Sequence, residues 1–185
     1  MTVLDRAPER ARVPIVPGDP LEGRIWRFGE TEPNPALFID TVLPGGTRAI
    51  WSVIGQNVGE DRGVRPPIPP EDFHLAIVEA EPGNGSHLHT HTTAEVFVPL
   101  SGRWELPYSA TADGEVSEVI LEPWDVCSVP AGVWRGFRNA GTEKGHLLVV
   151  VGGTDAGRLT WAPDVLEASA RAGRTLDDVG YMPSR

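Results

Sequence analysis

The chain has 185 residues and a formal net charge of −10, with Lys144 as its only lysine. This length suits one domain around a single core, and an acidic balance without a basic run argues against nucleic acid or a membrane surface as partner. The lone Cys127 leaves no internal disulfide, and the charged N-terminal region carries no signal peptide or spanning run, so a cytoplasmic protein is expected.

In chain order, residues 1–22 mix Arg, Pro and acidic residues without periodicity and form an arm. Short apolar runs at 24–28, 36–40 and 47–55 read as strands, with Pro44, Gly45 and Gly46 as a turn. Residues 57–72 hold four prolines and no apolar stripe, which predicts a surface connector. Residues 73–80 alternate as a strand and lead into a turn at Pro82 and Gly83. The segment from Arg103 to Tyr108 and the return after Asp113 and Gly114 form a hairpin. Two further strands flank Pro130, Ala131 and Gly132, and the apolar run 146–153 closes the sheet region. Asp164 caps a helix through Arg171, and residues 175–179 add another helical turn. The division is therefore an arm (1–22), an all-β domain (23–162) and a helical tail (163–185). Many short strands and one terminal helix indicate a double-sheet jelly-roll barrel.

The chemistry concentrates at residues 82–102. His87, His89 and His91 alternate, so in an extended segment all three point to one face, and Glu95 lies four residues on. Two imidazoles and a carboxylate brought to one point form a facial triad suited to non-haem Fe(II) or a related ion. His74 and His146 are candidates for inward positions on neighbouring strands. The aromatic residues near these segments, among them Phe97, Trp104, Tyr108, Trp124, Trp134 and Phe137, are assigned mainly to packing.

The spacing Gly83, His89-x-His91, Glu95, Gly102 resembles the first signature motif of the cupin family. Pro130, Gly132 and Asn139 match part of that family's second motif, but Trp124 stands at its leading glycine and Arg135 at its histidine. The resemblance covers roughly residues 73–153. It implies a double-stranded β-helix and a metal site of His89, His91 and Glu95 holding Fe(II) or Mn(II), with no organic cofactor. It also implies a homodimer.

Arg135 alters the expectation, because a guanidinium offers donors only and cannot replace an imidazole lone pair. At an effective dielectric of about 20, a dication and a cation roughly 6 Å apart repel by on the order of 5 kcal/mol. Two arrangements offset this. Arg135 pairs with Glu95 in a metal-free barrel, or Glu95 ligates metal while Arg135 holds a substrate carboxylate or enolate. The second is preferred, because it explains two histidines and a glutamate at ligand spacing. His87 serves as a proton carrier at the barrel mouth, substitutes for the missing ligand, or faces water.

The functional expectation is a mononuclear Fe(II) or Mn(II) oxidoreductase. By resemblance to cupin dioxygenases, it acts on a small phenolic, enolisable or carboxylate-bearing substrate. The alternative is a metal-free small-molecule binding protein, isomerase or cyclase in which Arg135 and Glu95 are paired and His91 or His87 moves the proton.

Overall fold

The computed structural model describes residues 16–56, 59–153 and 159–183. The proposed arm lies outside these residues up to position 15, and residues 16–22 form exposed turns. Ten strands follow: β1 (Ala49–Ile54), β2 (Phe73–Ala80), β3 (Gly85–Thr90), β4 (Glu95–Ser101), β5 (Trp104–Ser109), β6 (Ser117–Leu121), β7 (Cys127–Val129), β8 (Trp134–Asn139), β9 (Gly145–Gly152) and β10 (Thr160–Trp161). They pair antiparallel in two five-stranded sheets, β1-β2-β9-β4-β7 and β10-β3-β8-β5-β6. This is the jelly-roll barrel that the strand count implies. Among the described residues no helix is long and apolar enough to cross a membrane.

The inner faces bury Phe97, Trp104, Leu106, Leu147 and Val149 together with Val78 and Phe137. The alternating burial of β4 and β9 is the signature of strands with one face on this core. Trp104 keeps its indole N–H satisfied by donating to the Ser101 carbonyl at 3.0 Å. A second apolar layer of Trp51, Val53 and Ile68 covers the outer side of β1 and β2, with Trp26 packed on it.

Two expected strands are absent. Residues 24–28 carry no strand, and Phe28 instead lays its ring 4.9 Å from Trp51 on the outer layer. Residues 36–40 enter a short 3-10 turn, Ile39–Val42, with Leu37, Phe38 and Ile39 buried. Both runs were legible as apolar but not as plugs, since a short apolar run buries itself equally well without strand pairing. The helix α1 (Pro163–Arg171) also differs in its start: Ala162 is the cap, Pro163 opens the first turn, and Asp164 lies inside it without capping. Residues 175–179 form no helix.

The plug is tied down by Glu60, a residue with no signal in the sequence. One carboxylate oxygen accepts the Ile39 N–H and the other accepts the Trp161 indole N–H, both at 2.6 Å. Burial pushes the Glu60 carboxyl up to about 7, against the pull of these two bonds. The folded protein therefore holds this proton while the unfolded chain releases it near 4.5. The resulting stability is full below about pH 4.5 and is lost as pH rises through about 7, a change on the order of 3 kcal/mol. Urea unfolding at pH 5 and pH 7.5 should show the wild type losing stability relative to Glu60→Gln. Parallel changes in the two proteins would remove Glu60 as the source.

Candidate metal centre

Three chain segments deliver the site. A turn at Pro82 and Gly83, with Gly83 at φ +78°, starts β3. The strand then shifts register against β8 between Ser86 and His89. Ser86 and His89 both line the internal cavity although they are three residues apart, an odd step that only a bulge allows. His91 follows the end of β3, its carbonyl accepting the Gly132 N–H at 2.9 Å, and Glu95 opens β4.

The bulge corrects the expectation that His87, His89 and His91 share a face. His87 leaves the cavity and turns to Asp40, whose carboxylate accepts its backbone N–H at 3.0 Å and lies 3.2 Å from its Nδ1. Period-2 counting cannot detect an inserted residue, so the alternation was misleading at that one position. The remaining three come together. His89, His91 and Glu95 are buried, and one potential ligand atom from each lies within 4.8 Å of the others.

The protonation of this set follows from burial and from one backbone contact. His89 Nδ1 lies 2.8 Å from the His87 carbonyl, which can only accept, so the proton sits on Nδ1 and the lone pair on Nε2. That Nε2 faces Glu95 Oε2 at 4.0 Å, and His91 Nε2 faces the same oxygen at 3.8 Å. Burial, with His91 and Arg135 adding to it, holds His89 well below its ordinary value. Burial and Arg135 also push His91 down to about 3. Neither ring is an imidazolium near neutral pH, so these contacts are not ion pairs. The His89 lone pair on Nε2, the His91 ring and the Glu95 carboxyl converge on one point, an arrangement that a cation can relieve.

Arg135 is fully buried and grips the same carboxylate. Its Nε donates to Glu95 Oε2 at 2.8 Å and its Nη1 to the Val133 carbonyl at 2.8 Å. Burial raises the Glu95 carboxyl, and Arg135 opposes that rise without cancelling it. The guanidinium does not line the cavity, so the expectation that it reaches out to substrate is replaced by a place behind Glu95. Two of its three nitrogens are already committed to the protein, which keeps it there.

The cavity bounded by His89, His91 and Glu95 has a volume of about 60 Å³. At roughly 10–15 Å³ per water-sized probe, that is room for a small ligand and not for a polycyclic one. Its walls include Ile50, Ala76, Val78, Phe137, Val149 and Val151, and Arg48, Ser52 and His74 also reach it. Of the other candidates, His146 lies outside against Phe28 and bonds Glu79, while Trp104 and Phe97 are core. Tyr108 and Trp124 are exposed. Asn139 works as a clamp: its amide donates to the Ala80 and Glu143 carbonyls and its Oδ1 accepts the Gly141 N–H.

Residues 76–151 match a family model described as a cupin domain. A comparison with curated protein sequences returns no significant match. Among solved structures, an oxalate oxidase is similar at 16% identity and a TM-score of 0.56, covering 78% of this chain and 66% of its own. Oxalate oxidase in complex with the substrate analogue glycolate aligns at 15% identity and 0.57, covering 80% and 68%. The formate complex of oxalate decarboxylase from Lactobacillus farciminis aligns at 19% and 0.50, covering 65% of this chain and 33% of that one. This chain thus spans less than two thirds of the first and about a third of the last. At such identities the likeness establishes the fold alone.

Proposed function

Because the chain belongs to the cupin superfamily, we propose that it is a metal-dependent cupin enzyme, a mononuclear Fe(II) or Mn(II) oxidoreductase acting on a small enolisable, phenolic or carboxylate-bearing substrate. The observation that carries this reading is the His89 ring, whose Nδ1 proton is fixed on the His87 carbonyl so that a bare Nε2 lone pair faces His91 and Glu95. When bound, the ion supplies Lewis acidity at the cavity wall and, as Fe(II), reactivity toward oxygen.

The chain's own residues do the rest. Glu95, His89 and His91 hold the ion, and Arg135 draws the Glu95 carboxyl toward its ionised form and aims it. The apolar walls exclude water and confine the substrate to a small size. Two charges of the ion, one from Arg135 and one opposite charge from Glu95 leave the site positive, which favours an anionic substrate or one that ionises on binding.

A second reading rests on the Arg135–Glu95 ion pair, which is complete in the protein alone at 2.8 Å. In that metal-free barrel, proton transfer falls to His91, since His87 lies outside the cavity. Elemental analysis separates the two. Protein purified without chelator, and again after anaerobic supply of Fe(II) or Mn(II), should hold close to one ion per chain. No ion under either condition would leave the ion-pair barrel standing.

A further inference from the structure

The sheet that carries Glu95 lines the cavity two strands further on as well, with polar groups that the proposed function does not use. His74 on β2 is buried, and its register partner across β9 is Val151, which in turn pairs with Glu95 on β4. His74, Val151 and Glu95 therefore form one rung across the sheet, two strand spacings or roughly 10 Å from end to end. Residues on one rung share a face, and the cavity lies over this one.

The ring of His74 is held in one orientation. Its Nδ1 lies 3.1 Å from the Gln56 backbone N–H and 3.3 Å from the Gln56 carbonyl; with the shorter contact made, Nδ1 accepts and the ring proton is on Nε2. Gly55 at φ +124° makes this seat possible, because a Cβ there would stand 2.1 Å from Nδ1. The Nε2–H so produced is buried and has no partner among the described residues. Ser52 on β1 pairs with Ala76, the residue two beyond His74 on the same face of β2. Its hydroxyl is also buried without a partner among the described residues, and both residues line the cavity. Two buried polar groups left unmet on the lining of one cavity cost free energy that a ligand meeting them recovers.

We infer that His74 and Ser52 form a substrate subsite that binds an oxygen acceptor, so that the ligand spans the cavity with an anionic group at the His89, His91 and Glu95 pole and a second carbonyl or carboxylate oxygen on His74. The substrate class is a short acid carrying two oxygen functions, a dicarboxylate or keto acid of a few carbons. The class follows from donors at one end, a positive pole at the other, apolar walls between and about 60 Å³ of room. This assignment rests on the proposed metal site for the orientation of the ligand, and on His74 and Ser52 alone for the preference for a second acceptor.

Malonate and propionate test it, since they share one carboxylate and differ in the other. Calorimetric titration of the wild type, with and without Mn(II), should give tighter binding of malonate than of propionate. His74→Ala and Ser52→Ala should each reduce malonate affinity by roughly 10- to 100-fold while propionate affinity stays put, the loss expected for a hydrogen bond to a charged group. His74→Gln, which keeps a donor, should recover part of the loss and guards against a folding artefact. A wild type that does not prefer malonate, or folded variants that bind it as tightly as the wild type, would overturn the subsite. Malonate preference in a protein that takes up no Mn(II) would support the subsite and sink the metal reading. Stoichiometric Mn(II) without any preference would do the reverse.

Discussion

His89→Ala should lose its metal and its turnover together. In the proposed metal enzyme the ring supplies one of three ligand atoms, and its loss should weaken metal binding by more than the roughly 10- to 100-fold that follows loss of a hydrogen-bond partner to a ligand. The same ring meets Trp161 edge-on with ring centroids 5.2 Å apart, so the substitution also opens a space in the wall. His89→Gln, which fills more of that space and cannot offer the imidazole lone pair, should bind as little metal while melting closer to the wild type. Elemental analysis and oxygen uptake with small keto acids, diketones and phenols measure the two losses in one preparation. A His89→Ala protein that keeps wild-type turnover without metal would sink the metal-enzyme reading.

Arg135→Met should have the largest effect on stability. It removes the guanidinium from a carboxylate that is almost fully buried, and breaking such a pair from one side costs about 3–5 kcal/mol. In a chain of this length that is a fall in Tm of roughly 6 to 20 °C. Replacing both partners, Arg135→Met with Glu95→Gln, should recover much of the fall, because no uncompensated charge is left behind. Metal provides the sharper contrast. An ion that binds only the folded state stabilises it by mass action, and without Arg135 the ion becomes the sole counter-charge of Glu95. Mn(II) should therefore raise the Tm of Arg135→Met more than that of the wild type. Equal shifts in differential scanning calorimetry would show that Arg135 and the ion do not share Glu95, and no shift in either protein would favour the metal-free barrel.

Much of the barrel was legible because its strands announce themselves twice, by alternation and by the turns that bound them. Residues 73–80, the hairpin around Asp113 and Gly114, and the run before Gly153 all lie where periodicity and turn chemistry put them. The convergence of His89, His91 and Glu95 was legible for a different reason: their spacing of two and then four residues resembles the first cupin motif, and the structure brings the three together. What was not legible depends on long-range partners. No local pattern distinguishes the plug at Leu37 and Phe38 from a strand, or marks Glu60 as the residue holding it. The place of His87 turned on one extra residue in β3, and that of Arg135 on which of its nitrogens the Val133 carbonyl and Glu95 would claim. His74 could be named as inward but not as a donor, since the N–H that orients it comes from Gln56, far off in sequence.

Asp40 gives the bulge in β3 a wider meaning. Burial alone would raise its carboxyl, but Arg48, joined to it at 2.8 and 3.0 Å, and the two contacts from His87 outweigh burial and keep it ionised. That single anion pins the backbone of β3 two residues before His89, and it comes from a segment well upstream of residues 76–151. The working unit is consequently larger than the segment that the family model matches. Grafting that segment onto another barrel would transfer His89, His91 and Glu95 but not the anchor that aligns them, so a donor for such a transplant has to begin no later than the plug.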